Sequence, residues 1–158
     1  MPEAKKVRSL RGLVILIVAF VAVGSVIPTP LGKAKEKQSP APLLTGAVTD
    51  ERLIALVRRA CVNCHSNETR WPWYSSVAPA SWLVERDVSE ARKQMNFSRW
   101  PEYGPEGQRQ LLGQIAEQVE SRAMPPDRYE IMHAEARLTA EERALIARWA
   151  RMEAERIE

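Results

Sequence analysis

Apolar residues recur at helical spacing in four stretches of this chain, and no stretch alternates as a half-buried strand would. Leu53, Leu56, Val57 and Ala60 form the first stripe. Thr49 is placed to cap it, and Asp50 and Glu51 follow in the first turn, where they oppose the helix dipole. The second stripe predicts a helix over 81–95 with Leu83, Val84, Val88, Ala91 and Met95 inward. The third predicts a helix over 106–122 carrying Leu111, Leu112, Ile115 and Val119, with Pro125-Pro126 beyond its end. The fourth has Thr139-x-x-Glu142 as a capping box, then Leu145, Ile146, Trp149 and Met152. Its apolar face is expected to pack on the helix that precedes Cys61. Between these helices lie two irregular aromatic segments, 67–79 with Trp71, Trp73 and Tyr74, and 97–105 with Phe97, Trp100 and Tyr103. The fold class expected is all-α.

The N-terminus has a different pattern. Lys5, Lys6, Arg8 and Arg11 precede an uncharged, mostly apolar run from Gly12 to Ile27. Basic residues followed by an apolar core make an export signal. Sixteen residues is short of the roughly 20 needed to span a bilayer, and Leu10 with a snorkelling Arg11 extends the run. Ala22-Val23-Gly24 is a poor cleavage site, so an uncleaved signal anchor is expected over residues 1–27. The basic residues then stay on the cytoplasmic side and the remainder is exported. Pro28, Pro30, Pro40 and Pro42 mark residues 28–48 as an extended tether. Residues 49–158 are expected to form one domain.

Charge narrows the partners. Seven of the 23 Lys and Arg residues and two of the 20 Asp and Glu residues fall in 1–44, so the remainder carries a net −2 rather than the +3 of the whole chain. The exported part therefore lacks the basic balance of a nucleic-acid-binding domain, and no nucleic-acid partner is expected.

Candidate chemistry is concentrated in Cys61-Val62-Asn63-Cys64-His65. C-x-x-C-H is the pattern for covalent attachment of a c-type haem. Two thiols one helical turn apart reach the two vinyl groups at one edge of the porphyrin. The adjacent imidazole then faces the iron as proximal ligand. The pentapeptide takes both cysteines and one of the two histidines in the chain. Three other readings compete. A redox dithiol wants a βαβ setting. A zinc site wants four ligands, of which Cys61, Cys64 and His133 are three. A disulfide across two residues is strained. The single motif implies one covalent haem c, and export supports it, because bacteria attach c-type haem outside the cytoplasmic membrane.

A low-spin carrier needs a sixth iron ligand. Met124 is preferred, because Pro125-Pro126 stiffens the loop behind it. His133 is the alternative, and the competing reading of Met124 is a gap-filling side chain at a helix end. Arg70 and Trp71 are candidate haem-pocket contacts, through a propionate or as a wall. Ordinary packing is the competing reading for each tryptophan.

Met124-Pro-Pro followed by Leu138-Thr139-x-x-Glu142-Arg143-x-x-Ile146-x-x-Trp149 resembles the distal loop and C-terminal helix of class I cytochromes c. The longer pattern is Cys61-Val-Asn-Cys-His-Ser-Asn-Glu-Thr-Arg-Trp-Pro-Trp-Tyr74, then Met124-Pro-Pro, then His133. It is similar to the bacterial haem-binding domain family of small membrane-tethered c-type proteins. The resemblance covers about residues 49–150. It implies a cytochrome c-like fold, His65 as proximal ligand, and electron transfer rather than enzymatic catalysis. The segment between Pro126 and Thr139 is longer than in many small cytochromes c. A membrane-tethered, periplasmic single-electron carrier, working with redox partner proteins or as a subunit of a membrane electron-transfer complex, is the function expected. A haem sensor or peroxidase-like protein with an open sixth site is the alternative.

Overall fold

The computed structural model describes residues 2–26 and 42–157, and within the first of these segments it describes side chains from Leu10 to Gly24. Every regular element among the described residues is helical: α1 (Pro2–Val26), α2 (Glu51–Ala60), α3 (Val62–His65), α4 (Ala80–Gln94), α5 (Gly104–Glu120), α6 (Asp127–Met132) and α7 (Ala140–Arg156). Short 3-10 turns cover Trp73–Ser76, Phe97–Tyr103 and Ala134–Ala136. The all-α expectation holds. Residues 28–41 of the tether lie outside the described residues.

Internal contacts divide the chain into two units. The first takes in residues 1–35 and 71–89, the second residues 36–70 and 90–158.

In the first unit, α1 presents Leu13, Ile15, Leu16, Ile17, Val18, Phe20 and Val23 as exposed apolar side chains. Among the described residues no helix is long and apolar enough to cross a membrane. The fold therefore does not by itself supply the anchor expected from the sequence. Near the end of α1 the backbone comes close to the aromatic loop, so that a Cβ on Gly24 would sit 3.0 Å from the Cβ of Ala78. The first part of α4 reverses one expectation. Leu83 is exposed, whereas Glu85 and Val88 are buried. Helical spacing gives the existence of the helix, and the side that neighbouring elements cover then decides which residues turn inward.

The second unit holds the main core. Leu53, Leu56, Val57 and Ala60 of α2 are buried as their spacing predicts. The cap is Asp50 rather than Thr49: its carboxylate accepts from the Leu53 N–H at 2.7 Å. Phe97 and Trp100 are almost completely buried among Leu112, Val119 and Ile146. Gly104 ends the Phe97–Tyr103 turn at φ 63°, ψ 173°, a conformation only glycine adopts without strain, and Pro105 opens α5. The Thr139–Glu142 capping box is formed in both directions. The α7 face packs mainly against α5 and only secondarily against α2, correcting the expected pairing. Met152, expected inward, is exposed, and Ala147, Ala150 and Glu153 are buried instead. Small residues on that face let α5 come close.

Residues 42–48 join this core. Leu43 and Leu44 are buried. The Trp149 indole N–H donates to the Val48 carbonyl at 2.8 Å, and the Val48 N–H donates to the Glu153 carboxylate at 3.1 Å.

Candidate functional site

The pentapeptide is a single helical turn. Cys61 closes α2 through its N–H to the Val57 carbonyl at 2.9 Å, and its own carbonyl accepts from the N–H groups of Cys64 and His65 at 3.1 and 2.9 Å. The two cysteines therefore lie one turn apart, both half-buried and not joined in a disulfide. Burial, and secondarily the neighbouring Cys64, push the Cys61 thiol up to about 12. A thiol so far from ionisation is a poor redox nucleophile, which counts against the dithiol reading. Among the described residues no three His, Cys, Asp or Glu side chains converge as a metal-ion site, so the zinc set with His133 is not assembled.

His65 is oriented from behind. Its Nδ1 lies 3.1 Å from the Met95 carbonyl oxygen. A carbonyl only accepts, so Nδ1 carries the proton and Nε2 keeps a free lone pair. The Phe97 ring stands edge-on at 6.3 Å. Burial pushes the imidazole below its ordinary value, and hydrogen bonds to the Met95 and Ala91 carbonyls oppose that shift. The result is a neutral, fixed imidazole whose free nitrogen is suited to a metal.

Asn63, one of the two residues between the cysteines, ties the turn to its surroundings. Its side-chain amide donates to the Tyr129 hydroxyl at 2.9 Å. Its side-chain oxygen accepts from the Arg70 N–H at 3.3 Å, and its carbonyl accepts from the Thr69 hydroxyl at 2.7 Å. The peptide beyond His65 is held as firmly. Arg92 Nε donates to the Ser66 carbonyl at 2.9 Å and another guanidinium nitrogen to the Thr69 hydroxyl at 3.0 Å. The Asn96 amide donates to Asn67 at 2.7 Å. Ser66, Thr69 and Asn96 are all buried. These polar side chains fix the backbone around the motif.

The remaining candidates are placed as follows. The Arg70 side chain is exposed, and only its backbone contacts Asn63. Trp71 is half-buried and belongs to the first unit. Met124 follows α5 on a loop. Its N–H donates to the Gln118 carbonyl at 3.0 Å, and its carbonyl accepts from Arg143 at 2.7 Å. Arg143 also reaches the Val119 carbonyl at 3.3 Å and Glu130 at 3.0 Å, clamping this loop to α6. The Met124 residue is 37 % exposed, so it is not the core gap-filler of the competing reading. His133 stacks on Tyr129 with ring centroids 4.3 Å apart, and its Nδ1 lies 3.1 Å from the Glu135 carboxylate. Tyr129 thus links Asn63 in the pentapeptide to the ring of His133.

Cys61, Cys64 and His65 are brought together by contiguity, and His133 is tied to them through Tyr129. The supporting roles of Met95, Tyr129, Arg92 and Arg143 are absent from the sequence reading. Only Arg143 had a signal, its place beside the capping-box glutamate in the C-terminal pattern.

The family model described as haem-binding domain matches residues 15–152. No curated protein and no solved structure gives a match.

Proposed function

Because the chain belongs to the haem-binding domain family, we propose that it is a membrane-tethered, periplasm-facing c-type cytochrome that carries single electrons and catalyses no reaction of its own. The observation that carries this reading is the His65 ring, its Nδ1 held 3.1 Å from the Met95 carbonyl oxygen, at the end of a C-x-x-C turn whose cysteines are not joined in a disulfide.

The residues present fit the group. Cys61 and Cys64 would form its two thioether bonds, and His65 Nε2 would be the proximal ligand. Bound haem supplies an iron that takes up and releases one electron. The polypeptide supplies what keeps that exchange fast and clean. Asn63, Thr69 and Arg92 hold the attachment turn rigid, so that the imidazole need not move when the charge changes. Met95 and Phe97 fix the ring plane. The loop clamped by Arg143 carries Met124, which would be the preferred distal ligand, with His133 as the alternative. A neutral thioether favours the reduced metal and so a higher potential than a second imidazole.

Membrane attachment is supported by the basic residues before the apolar run and by the exposed apolar side chains of α1. Lys5, Lys6, Arg8 and Arg11 would keep the N-terminus in the cytoplasm and place the haem unit in the periplasm. Redox proteins at the same membrane are the partners implied.

A second reading is a haem sensor or peroxidase-like protein with a displaceable sixth ligand. Carbon monoxide separates the two. The reduced carrier should resist it, and rapid stoichiometric binding would instead establish an open site. Fractionation of the producing cells tests attachment: the protein should remain with membranes through a high-salt wash and leave only with detergent.

A further inference from the structure

Residues 71–84, from Trp71 to Val84, contain no Asp, Glu, Lys or Arg, although 27 % of the chain is charged. This stretch includes Trp71, Trp73, Tyr74 and Trp82. Trp73 is 80 % exposed, the most exposed of the large hydrophobic side chains described, and it meets Tyr74 edge to face at 5.8 Å. A solvent-facing indole in a charge-free loop is suited to an interfacial or apolar partner.

The same unit contains α1, and the two meet where Gly24 approaches Ala78. The lack of a side chain at Gly24 permits that approach, and Ala78 is 2 % exposed. Arg11 and Gly24 are 13 residues apart on one helix, about 20 Å at 1.5 Å per residue. A bilayer's hydrocarbon core is about 30 Å thick. If Arg11 reaches the cytoplasmic headgroups, Gly24 has not passed beyond the opposite headgroups. A loop that touches Gly24 is then drawn onto the periplasmic side of the bilayer.

Some of the loop's polar groups are satisfied internally. The Ser75 N–H and hydroxyl both donate to the Pro72 carbonyl, at 2.9 and 2.6 Å, and the Val77 N–H donates to the Tyr74 carbonyl at 3.1 Å. Those donors enter the interfacial layer already paired.

We infer that the 71–79 loop is a lipid-contacting element, with Trp73 seated among the phospholipid headgroups of the periplasmic leaflet and Tyr74 beside it. Tryptophan and tyrosine favour that layer because their rings are apolar at one end and hydrogen-bonding at the other. The loop makes a second membrane contact besides α1, and it restrains the first unit against the bilayer. This inference rests on the tethered reading, in which α1 is inserted.

The test uses full-length holoprotein in vesicles of phosphatidylcholine and phosphatidylglycerol. Nitroxide labels are placed singly at Trp73→Cys, Ser76→Cys, Phe20→Cys and Met152→Cys. Each label is read for collision with oxygen, which concentrates in lipid, and with a water-soluble nickel chelate. Ser76→Cys reports the same exposed turn should the tryptophan substitution disturb folding. The oxygen-to-nickel ratio at 73 or 76 should exceed that at 152 severalfold, and the ratio at 20 should be at least as high. Ratios at 73 and 76 equal to that at 152, with the label at 20 still in lipid, would overturn the inference and leave the tether standing. A label at 20 that reads as aqueous would overturn both.

Discussion

The imidazole of His65 and the backbone of Met95 meet through one hydrogen bond, Nδ1 to carbonyl oxygen at 3.1 Å, across 30 residues of sequence. This bond selects the tautomer that leaves Nε2 for iron. In the reduced, diamagnetic holoprotein the Nδ1 proton should therefore exchange slowly with deuterium and give a proton resonance that persists for hours. Loss of that resonance within the mixing time would show that the ring is not held from behind.

Distal ligation comes next. Met124→Ala should abolish the sulfur-to-iron charge-transfer absorption of the oxidised protein and lower its midpoint potential. His133→Ala should leave both nearly unchanged. The reverse pattern in paired absorption and potentiometric measurements would move the distal role to His133, whose ring already rests on Tyr129.

Arg143 donates to two carbonyls and a carboxylate, so its removal leaves several acceptors without a partner. Arg143→Ala should cost about 1.5–3 kcal/mol in chemical unfolding, the range for hydrogen bonds to a charged group. It should also accelerate carbon monoxide binding by freeing the Met124 loop. Lysine cannot span the same three partners, so Arg143→Lys should recover little. Wild-type ligand-binding rates in Arg143→Ala would separate the clamp from the distal site.

Tyr129→Phe removes only the hydroxyl that accepts from Asn63. The expected loss is about 1 kcal/mol, together with a measurable change in midpoint potential as the attachment turn loosens. A stability loss with no change in potential would give Tyr129 a packing role alone.

Glu153 supplies the pH dependence. It is 3 % exposed, and Arg156 chiefly, with the Val48 N–H, holds its carboxyl below the ordinary carboxylate value of 4.5. A depressed folded-state value means that the unfolded chain takes up the proton first. The stabilisation is therefore full above about 4.5 and is lost as the pH falls through the lowered value. Glu153→Gln should destabilise the protein by about 1.5–3 kcal/mol at neutral pH. The gap to wild type should close below pH 4.5 in unfolding curves. A gap of constant size across that range would remove Glu153 from the acid response.

The attachment site is legible in the sequence because its three residues fall within one pentapeptide and both of their types, Cys and His, are scarce in the chain. The helices are legible because 3.6-residue spacing survives without knowledge of partners. Facing directions are less so. Leu83 and Met152 look inward by hydropathy, yet Glu85 and Glu153 take buried positions, because burial depends on which neighbour covers the helix. Thr49 and Asp50 are both good capping residues, and only backbone conformation decides between adjacent candidates. The Met95 carbonyl leaves no trace in sequence at all, since every residue carries one. Tyr129 and Arg92 likewise act across long separations that no local pattern encodes.

The most direct measurement is a pyridine haemochrome spectrum of the polypeptide, produced with a c-type maturation system and extracted under denaturing conditions. Haem that remains with the chain and gives the spectrum of two saturated vinyl positions is the expected result. Haem that is wholly extracted, or never bound, would contradict the account and return Cys61 and Cys64 to the status of a thiol pair.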